Sequence, residues 1–245
     1  VVEVGAGLGS LTQELARHGP KVIAVEIDEE LCSYLRRRFS RLDNVRVVCA
    51  DILGLTPAEL LEEGGAHPPY VVAGNLPYYV TAPVLRHFLE ASARPRRLVV
   101  MVQREVAASI VAGPGHMSLL GLSVQLYGVP HRLFTVPPSA FYPPPKVHSA
   151  LVAIDVREKP AVAVDDVGRF FTLARAGFAA PRKQLRNSLA LGLGMEPVAA
   201  EPLLRGAGLD PRRRAQELSL DEWAALYRAC REGGVALADA EPGAT

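Results

Sequence analysis

Asn75, Pro77 and Tyr78 stand in the stretch GNLPYYVTAP (74–83), directly after the apolar run Val71-Val72-Ala73. These residue types suit one difficult nucleophile, the exocyclic amine of adenine, whose lone pair is delocalised into the ring. The carboxamide oxygen of Asn75 and the backbone carbonyl of Pro77 can each accept one of its N–H groups. Both contacts favour a pyramidal nitrogen with its lone pair aimed at an electrophilic carbon. Pro77, whose ring fixes φ, is expected to hold its carbonyl outward. Tyr78 can stack on the base, as an extruded or single-stranded nucleotide requires. The chemistry implied is in-line methyl transfer driven by positioning, with no metal needed.

A methyl donor must then lie nearby. EVGAGLG (3–9) sits between a strand-like run and an amphipathic stretch, where a doubly wound sheet holds its ligand. Gly5 and Gly7 permit tight turning and close backbone approach. Glu26 ends the second apolar run, about 20 residues further on, where a carboxylate suits a ribose diol. Two ligands fit such a loop, NAD and S-adenosylmethionine. Ser10 stands where the dinucleotide fingerprint wants its last glycine, and Glu3 precedes the first one. Asp51, after the third run, can accept an adenine amino group. These features favour S-adenosylmethionine, with an NAD oxidoreductase as the rival.

The elements that must position these residues alternate. Strands are expected at 1–4, 21–26, 45–51, 70–74 and 97–103, and helices at 8–17, 29–39 and 105–111. This rhythm predicts an α/β fold, a Rossmann-like and mostly parallel sheet with helices on both faces. The polar, Gly-Pro-rich segment after the third strand reads as a connection. A helix at 118–127 precedes two late strands, 131–136 and 147–156, which suggest an antiparallel edge. VPPSAFYPPPKV between them is too proline-rich for a ladder and reads as a stiff connection beside the cleft. From about Asp165 the pattern is helical, in GRFFTLARAGF, RKQLRNSLALGL and LDEWAALYRAC, with Trp223 as core. The expected domains are a catalytic, cofactor-binding one at 1–160 and a small helical, RNA-binding one at 161–231, followed by a disordered tail at 232–245.

Composition excludes little and supports a core. Hydrophobic residues make up 49% of the 245, and 27 Lys and Arg balance 26 Asp and Glu. Basic surface must therefore come from clusters such as Arg182, Lys183 and Arg186, which read as one helical turn able to meet phosphates. Arg212–Arg214 reads as a solvated face. No apolar run approaches the ~20 residues of a membrane span. Cys32, Cys49 and Cys230 have no metal-ligand spacing and read as separate thiols of a reduced cytoplasm. The six histidines have neither ligand-like nor triad spacing.

EVGAGLGSLT, AVEID, GNLPY, PPSAFYPPPKVHSALV and RKQLRNSL, occurring in this order, resemble the rRNA adenine N6,N6-dimethyltransferase family. This is the small-subunit dimethyladenosine transferase group that includes the kasugamycin-resistance methyltransferase. The resemblance implies transfer of methyl groups from S-adenosylmethionine to two neighbouring adenosines. Both lie in the 3′-terminal hairpin loop of small-subunit rRNA, modified during ribosome assembly by a cytoplasmic monomer acting on the pre-30S particle. It assigns Gly5, Gly7, Glu26, Asp51 and Asn75 to the cofactor and Asn75, Leu76, Pro77 and Tyr78 to catalysis. It assigns Tyr78 and Phe178 to a sandwich around the target base. Tyr79 departs from the family habit of Asn or Gln after NLPY. In the family a segment with a Gln-Asn-Phe-Leu motif comes before the position of Val1 and closes over the cofactor. A chain starting at Val1 is expected to bind the cofactor weakly. Two rivals share the fold: the large-subunit rRNA methyltransferase that confers antibiotic resistance, and an assembly or transcription factor that only binds.

Overall fold

Apolar runs of three to nine residues become strands, and the amphipathic stretches between them become helices. The computed structural model describes residues 1–237. Strands β1 (Val2–Val4), β2 (Val22–Glu26), β3 (Val45–Cys49), β4 (Val71–Asn75), β5 (Arg97–Gln103), β6 (Gly128–Val136) and β7 (Ser149–Val156) form one sheet, ordered β3-β2-β1-β4-β5-β7-β6. The first five pair in parallel, and β7 runs antiparallel to both β5 and β6. The reversed strand is thus the last but one, and β6 closes the edge. Pro130 is tolerated in β6 because an edge strand has one side free of ladder bonds. All residues of β1 and β2 are buried, as expected of parallel strands covered on both faces.

Helices α1 (Ser10–Arg17), α2 (Glu29–Arg38), α3 (Pro57–Glu63), α4 (Thr81–Leu89) and α5 (Arg104–Val111) fill the connections. Asp28 starts α2 by accepting the N–H groups of Glu30 and Leu31. Helix α3 lies in the segment expected to be a plain connection. Its start carries a reciprocal Thr56–Glu59 capping box with Pro57 in the first turn, a signal masked by the surrounding prolines and glycines. Helix α4 was hidden in the same way, since Pro77 and Pro83 bracket its start.

The chain divides into two compact units. One is Val1–Ala108 with Tyr127–Glu158, and the other is Ser109–Leu126 with the chain from Lys159 onward. The expected single cut at 160 therefore misses an exchange. Residues 109–126 belong with the helical unit, where the N–H groups of Gly115 and Met117 donate to the carbonyl of Gln216. That unit holds most of α6 (Leu119–Tyr127), and α7 (Val167–Phe178), α8 (Leu185–Leu193), α9 (Pro197–Gly206) and α10 (Leu220–Glu232). Trp223, Tyr227 and Phe170 are fully buried in its core, and the Tyr227 hydroxyl donates to Asp165 at 2.9 Å. Gly192 lets α8 meet α7 closely, since a Cβ there would fall 2.3 Å from Ala176 Cα. Of the tail expected to be disordered, Glu232 ends α10 and Leu237 is buried, and residues 238–245 lie outside the described ones.

The cysteines correct a second expectation. Cys32 on α2 and Cys49 at the end of β3 are disulfide-bonded, with Cα atoms 5.7 Å apart. Only the packing of α2 over the sheet brings them together, so no spacing rule could reveal the pair. Cys230 is a free, buried thiol whose pKa burial pushes up to about 11. Among the described residues no helix is long and apolar enough to cross a membrane.

Candidate active site

The parallel strands β1 to β5 all end on the same side of the sheet. There the order reverses direction about β1, with β2 on one flank and β4 on the other, which opens a crevice at the strand ends. Each sequence-predicted residue of the sheet unit emerges at this edge: Gly5 and Gly7 after β1, Glu26 ending β2, Asp51 after β3, and Asn75 ending β4.

Gly5, Gly7 and Gly9 have φ values of 71°, 55° and 79°, a region that only glycine enters freely. Their surroundings separate their roles. A Cβ on Gly9 would come within 2.6 Å of the Phe39 ring, so this glycine serves packing against α2. A Cβ on Gly5 or Gly7 would meet no atom within 4 Å, which leaves the backbone open to a ligand. The Gly7 N–H donates to Glu26 Oε2 at 2.8 Å, and Oε1 accepts from Ile27 and Asp28 at 2.9 and 3.1 Å. Three backbone donors thus fix the carboxylate while leaving acceptor capacity for a pair of hydroxyls. Asp51 is exposed and its Oδ1 accepts the Leu53 N–H at 3.0 Å, so the turn itself holds the side chain in place. These residues fit a nucleoside-bearing cofactor.

Glu3 takes a different place from the ligand-side acid that its position suggests. It is 1% exposed and accepts the Thr12 hydroxyl at 2.6 Å, tying β1 to α1 beneath the glycine loop. Burial raises its pKa, opposed by the Thr12 hydrogen bond.

At the motif, Leu76 is buried and its N–H donates to Met101 O at 3.2 Å, which anchors the loop between two exposed neighbours. The Asn75 side chain is exposed at the strand end. Pro77 has φ −55° and ψ 137° and leads into a short 3-10 turn over Tyr78–Val80. Its carbonyl accepts the Val80 N–H at 3.1 Å and the Thr81 hydroxyl at 3.4 Å. The turn that follows therefore engages the same carbonyl that the sequence offers to the target amine.

The Tyr78 hydroxyl lies 3.2 Å from Ser149 Oγ at the start of β7. Beside it opens a cavity of about 370 Å³, lined by Asn75, Leu76, Pro77 and Tyr78 of the motif and by Phe141, Tyr142, Pro143 and Pro145 of the proline-rich connection. Phe141 and Tyr142 carry no role among the sequence expectations. Their signal is an adjacent aromatic pair bracketed by prolines, in a chain with only 6% aromatic residues. Tyr142 is fully exposed and Tyr79 is 86% exposed.

The sequence-predicted residues of the helical unit are engaged differently. Phe178 ends α7 half-buried, with its ring stacked on Trp223 at 5.4 Å and 25°. The rings that line the cavity with Tyr78 are those of Phe141 and Tyr142. Arg182 and Lys183 are exposed, but they lie in the turn before α8 and not in one helical turn with Arg186. Arg186 is paired with Glu201, which Arg205 also reaches. Among the described residues no group of three or more His, Cys, Asp or Glu is arranged to hold a metal ion.

Residues 1–231 match the model of the family described as ribosomal RNA adenine dimethylase. The chain is 48% identical over 226 residues to the "Ribosomal RNA small subunit methyltransferase A" of Dehalococcoides mccartyi, covering 92% of this chain and 77% of the relative. The protein of the same name from Moorella thermoacetica is 43% identical over 235 residues, covering 93% and 81%. A solved dimethyladenosine transferase from Plasmodium falciparum superposes with a TM-score of 0.77 at 21% identity, covering 97% of this chain and 91% of that one, a likeness of fold. The solved 23S rRNA methyltransferase ErmE gives 0.67 at 26% identity, covering 93% and 89%. With the glycine loop, Glu26 and the Asn75–Tyr78 turn along one sheet edge, and a family match reaching from residue 1 to 231, the chain belongs to the ribosomal RNA adenine dimethylase family.

Proposed function

We propose that this chain transfers methyl groups from S-adenosylmethionine to N6 of two adjacent adenosines in the 3′-terminal hairpin loop of small-subunit rRNA. The observation that carries the reading is the cavity that Asn75 lines together with the aromatic residues Tyr78, Phe141 and Tyr142. When bound, S-adenosylmethionine supplies a methyl group already activated by its positively charged sulfur. Gly5 and Gly7 leave its methionine end room, Glu26 accepts the ribose hydroxyls, and Asp51 accepts the adenine amine. Tyr78 and Phe141 hold the target base between them, the role the resemblance implied for Phe178. The Asn75 oxygen accepts an N–H of the target amine and keeps the nitrogen lone pair free. Pro77 contributes by fixing the turn, with its own carbonyl engaged by Val80 and Thr81. Positioning of this kind can account for most of the acceleration such a transfer needs.

The small-subunit target is favoured over the large-subunit one by the relatives at 43 to 48% identity, against 26% for ErmE. The open glycine cradle and the exposed Asn75 favour an enzyme over a factor that only binds. The chain is read as a cytoplasmic monomer acting on the pre-30S particle. Its sheet unit carries catalysis, and its helical unit contributes Arg182 and Lys183 to rRNA binding. The deciding experiment is incorporation of labelled methyl groups into small subunits lacking the modification, followed by mass mapping. Two adjacent dimethyladenosines near the 3′ end are expected. Label confined to large-subunit rRNA, or no label at all, overturns the reading.

A further inference from the structure

A second concave surface lies at the opposite end of the same sheet. It occupies about 760 Å³ where β4 and β5 begin and β7 ends, and Arg94, Arg96 and Arg157 line it together with a single carboxylate, Glu158. Among the described residues no carboxylate stands within ion-pair distance of these three arginines. The neighbouring cations are neutralised, Arg97 by Asp155 and Arg86 by Glu90. Three arginines thus share this groove with one carboxylate, in a chain whose cations and anions nearly balance at 27 to 26.

The backbone that carries these guanidinium groups is held firmly. Arg96 N–H donates to Tyr70 O at 2.8 Å, its carbonyl accepts from Val156 at 3.1 Å, and Arg157 N–H donates to Tyr127 O at 2.8 Å. The Arg94 guanidinium lies over the Tyr127 ring at 4.9 Å, and its Nε is buried without a hydrogen-bond partner. Pro68, Pro69 and Pro95 form much of the wall and offer no N–H. The donors presented to an occupant are thus mainly guanidinium forks, whose geometry matches phosphate oxygens. β5 alone spans roughly 20 Å from Arg97 to Gln103 at about 3.3 Å per residue, so one nucleotide cannot occupy both this groove and the cavity at Asn75.

Resting on the functional reading above, we infer that this groove grips the phosphodiester backbone of the small-subunit rRNA at a segment remote from the target adenosines. It fixes the particle's orientation and does not choose the base.

The test compares the wild type with Arg96→Ala/Arg157→Ala and with Arg96→Lys/Arg157→Lys, on unmodified small subunits and on a short hairpin carrying the target adenosines. Binding of S-adenosylmethionine checks that each variant is folded. With two phosphate contacts removed, the logarithmic salt dependence of subunit binding should fall by roughly 1.4 to 1.8. Across a fourfold rise in salt the wild type should therefore weaken about tenfold more than the alanine variant. The lysine variant should keep most of the slope. KM for subunits should rise with kcat unchanged, and hairpin kinetics should not move. An unchanged salt slope, or equal losses on hairpin and subunit, overturns the groove. If the wild type methylates neither substrate, the functional reading itself fails, and direct binding of the same variants to subunits still decides the groove.

Discussion

Asn75 has one task in this site, accepting a hydrogen bond from an amine, and a side chain without an acceptor cannot do it. Asn75→Ala should lower kcat by roughly 10²–10³-fold, the range for removal of one preorganised polar contact. Affinity for rRNA should be unchanged, so methylation that persists alongside binding would refute the role. Phe141 and Phe178 make a second contrast. Phe141→Ala removes a cavity wall and should cost ~1–3 kcal/mol of base stacking, read as a lower kcat/KM with normal stability. Phe178→Ala removes the ring stacked on Trp223 and should register as lost stability of the helical unit, about 3–5 kcal/mol if the space stays empty. Activity loss without destabilisation in Phe178→Ala would return the base-stacking role to that residue. At this scale the motif residues were legible because their chemistry is local. The use of the Pro77 carbonyl was not, since it depends on where the next turn places Val80 N–H and the Thr81 hydroxyl.

At the scale of elements, two ties support the cofactor edge. Glu3 joins β1 to α1 through Thr12, and burial raises its pKa. A carboxyl whose folded pKa is raised binds more protons in the native state than in the unfolded one. Its contribution is therefore present below the unfolded value of 4.5 and lost as pH rises through the folded value. Glu3→Gln should flatten the fall in stability above pH 4.5, measured by urea unfolding at several pH values; an unaltered pH profile would remove this account. The second tie, Cys32–Cys49, closes a sequence separation of 17, for which loop entropy suggests about 3 kcal/mol. Replacing both cysteines by serine should cost about that much in oxidising buffer and far less in the presence of a reductant. The strands were legible because each is a short apolar run bounded by polar residues. Helices α3 and α4 were not, because prolines that break a helix interior are welcome in its first turn.

At the scale of the molecule, the division into two units makes a prediction of its own. All residues assigned to the cofactor lie in the sheet unit, and the chain's single tryptophan, Trp223, lies in the core of the other. A Cβ at Gly177 would fall 2.3 Å from the Trp223 ring. Gly177→Ala should therefore destabilise the helical unit by about 1–3 kcal/mol, seen as an earlier Trp fluorescence transition, while S-adenosylmethionine binding is retained. Loss of binding together with the fluorescence change would show that the units are not independent. The sequence by itself determined the alternation of strands and helices, the loop glycines, the acids at the strand ends and the Asn-Leu-Pro-Tyr turn. All of these are written in neighbouring residues and in the apolar period. Only the tertiary structure decided that Phe141 and Tyr78 line one cavity and that Cys32 reaches Cys49. It also decided that residues 109–126 join the helical unit and that three arginines from distant segments share one groove. These pairings join segments far apart in the chain, and the physical cause is tertiary packing, in the register of the sheet and in the contacts of helices and loops with it and with one another, which no local pattern encodes.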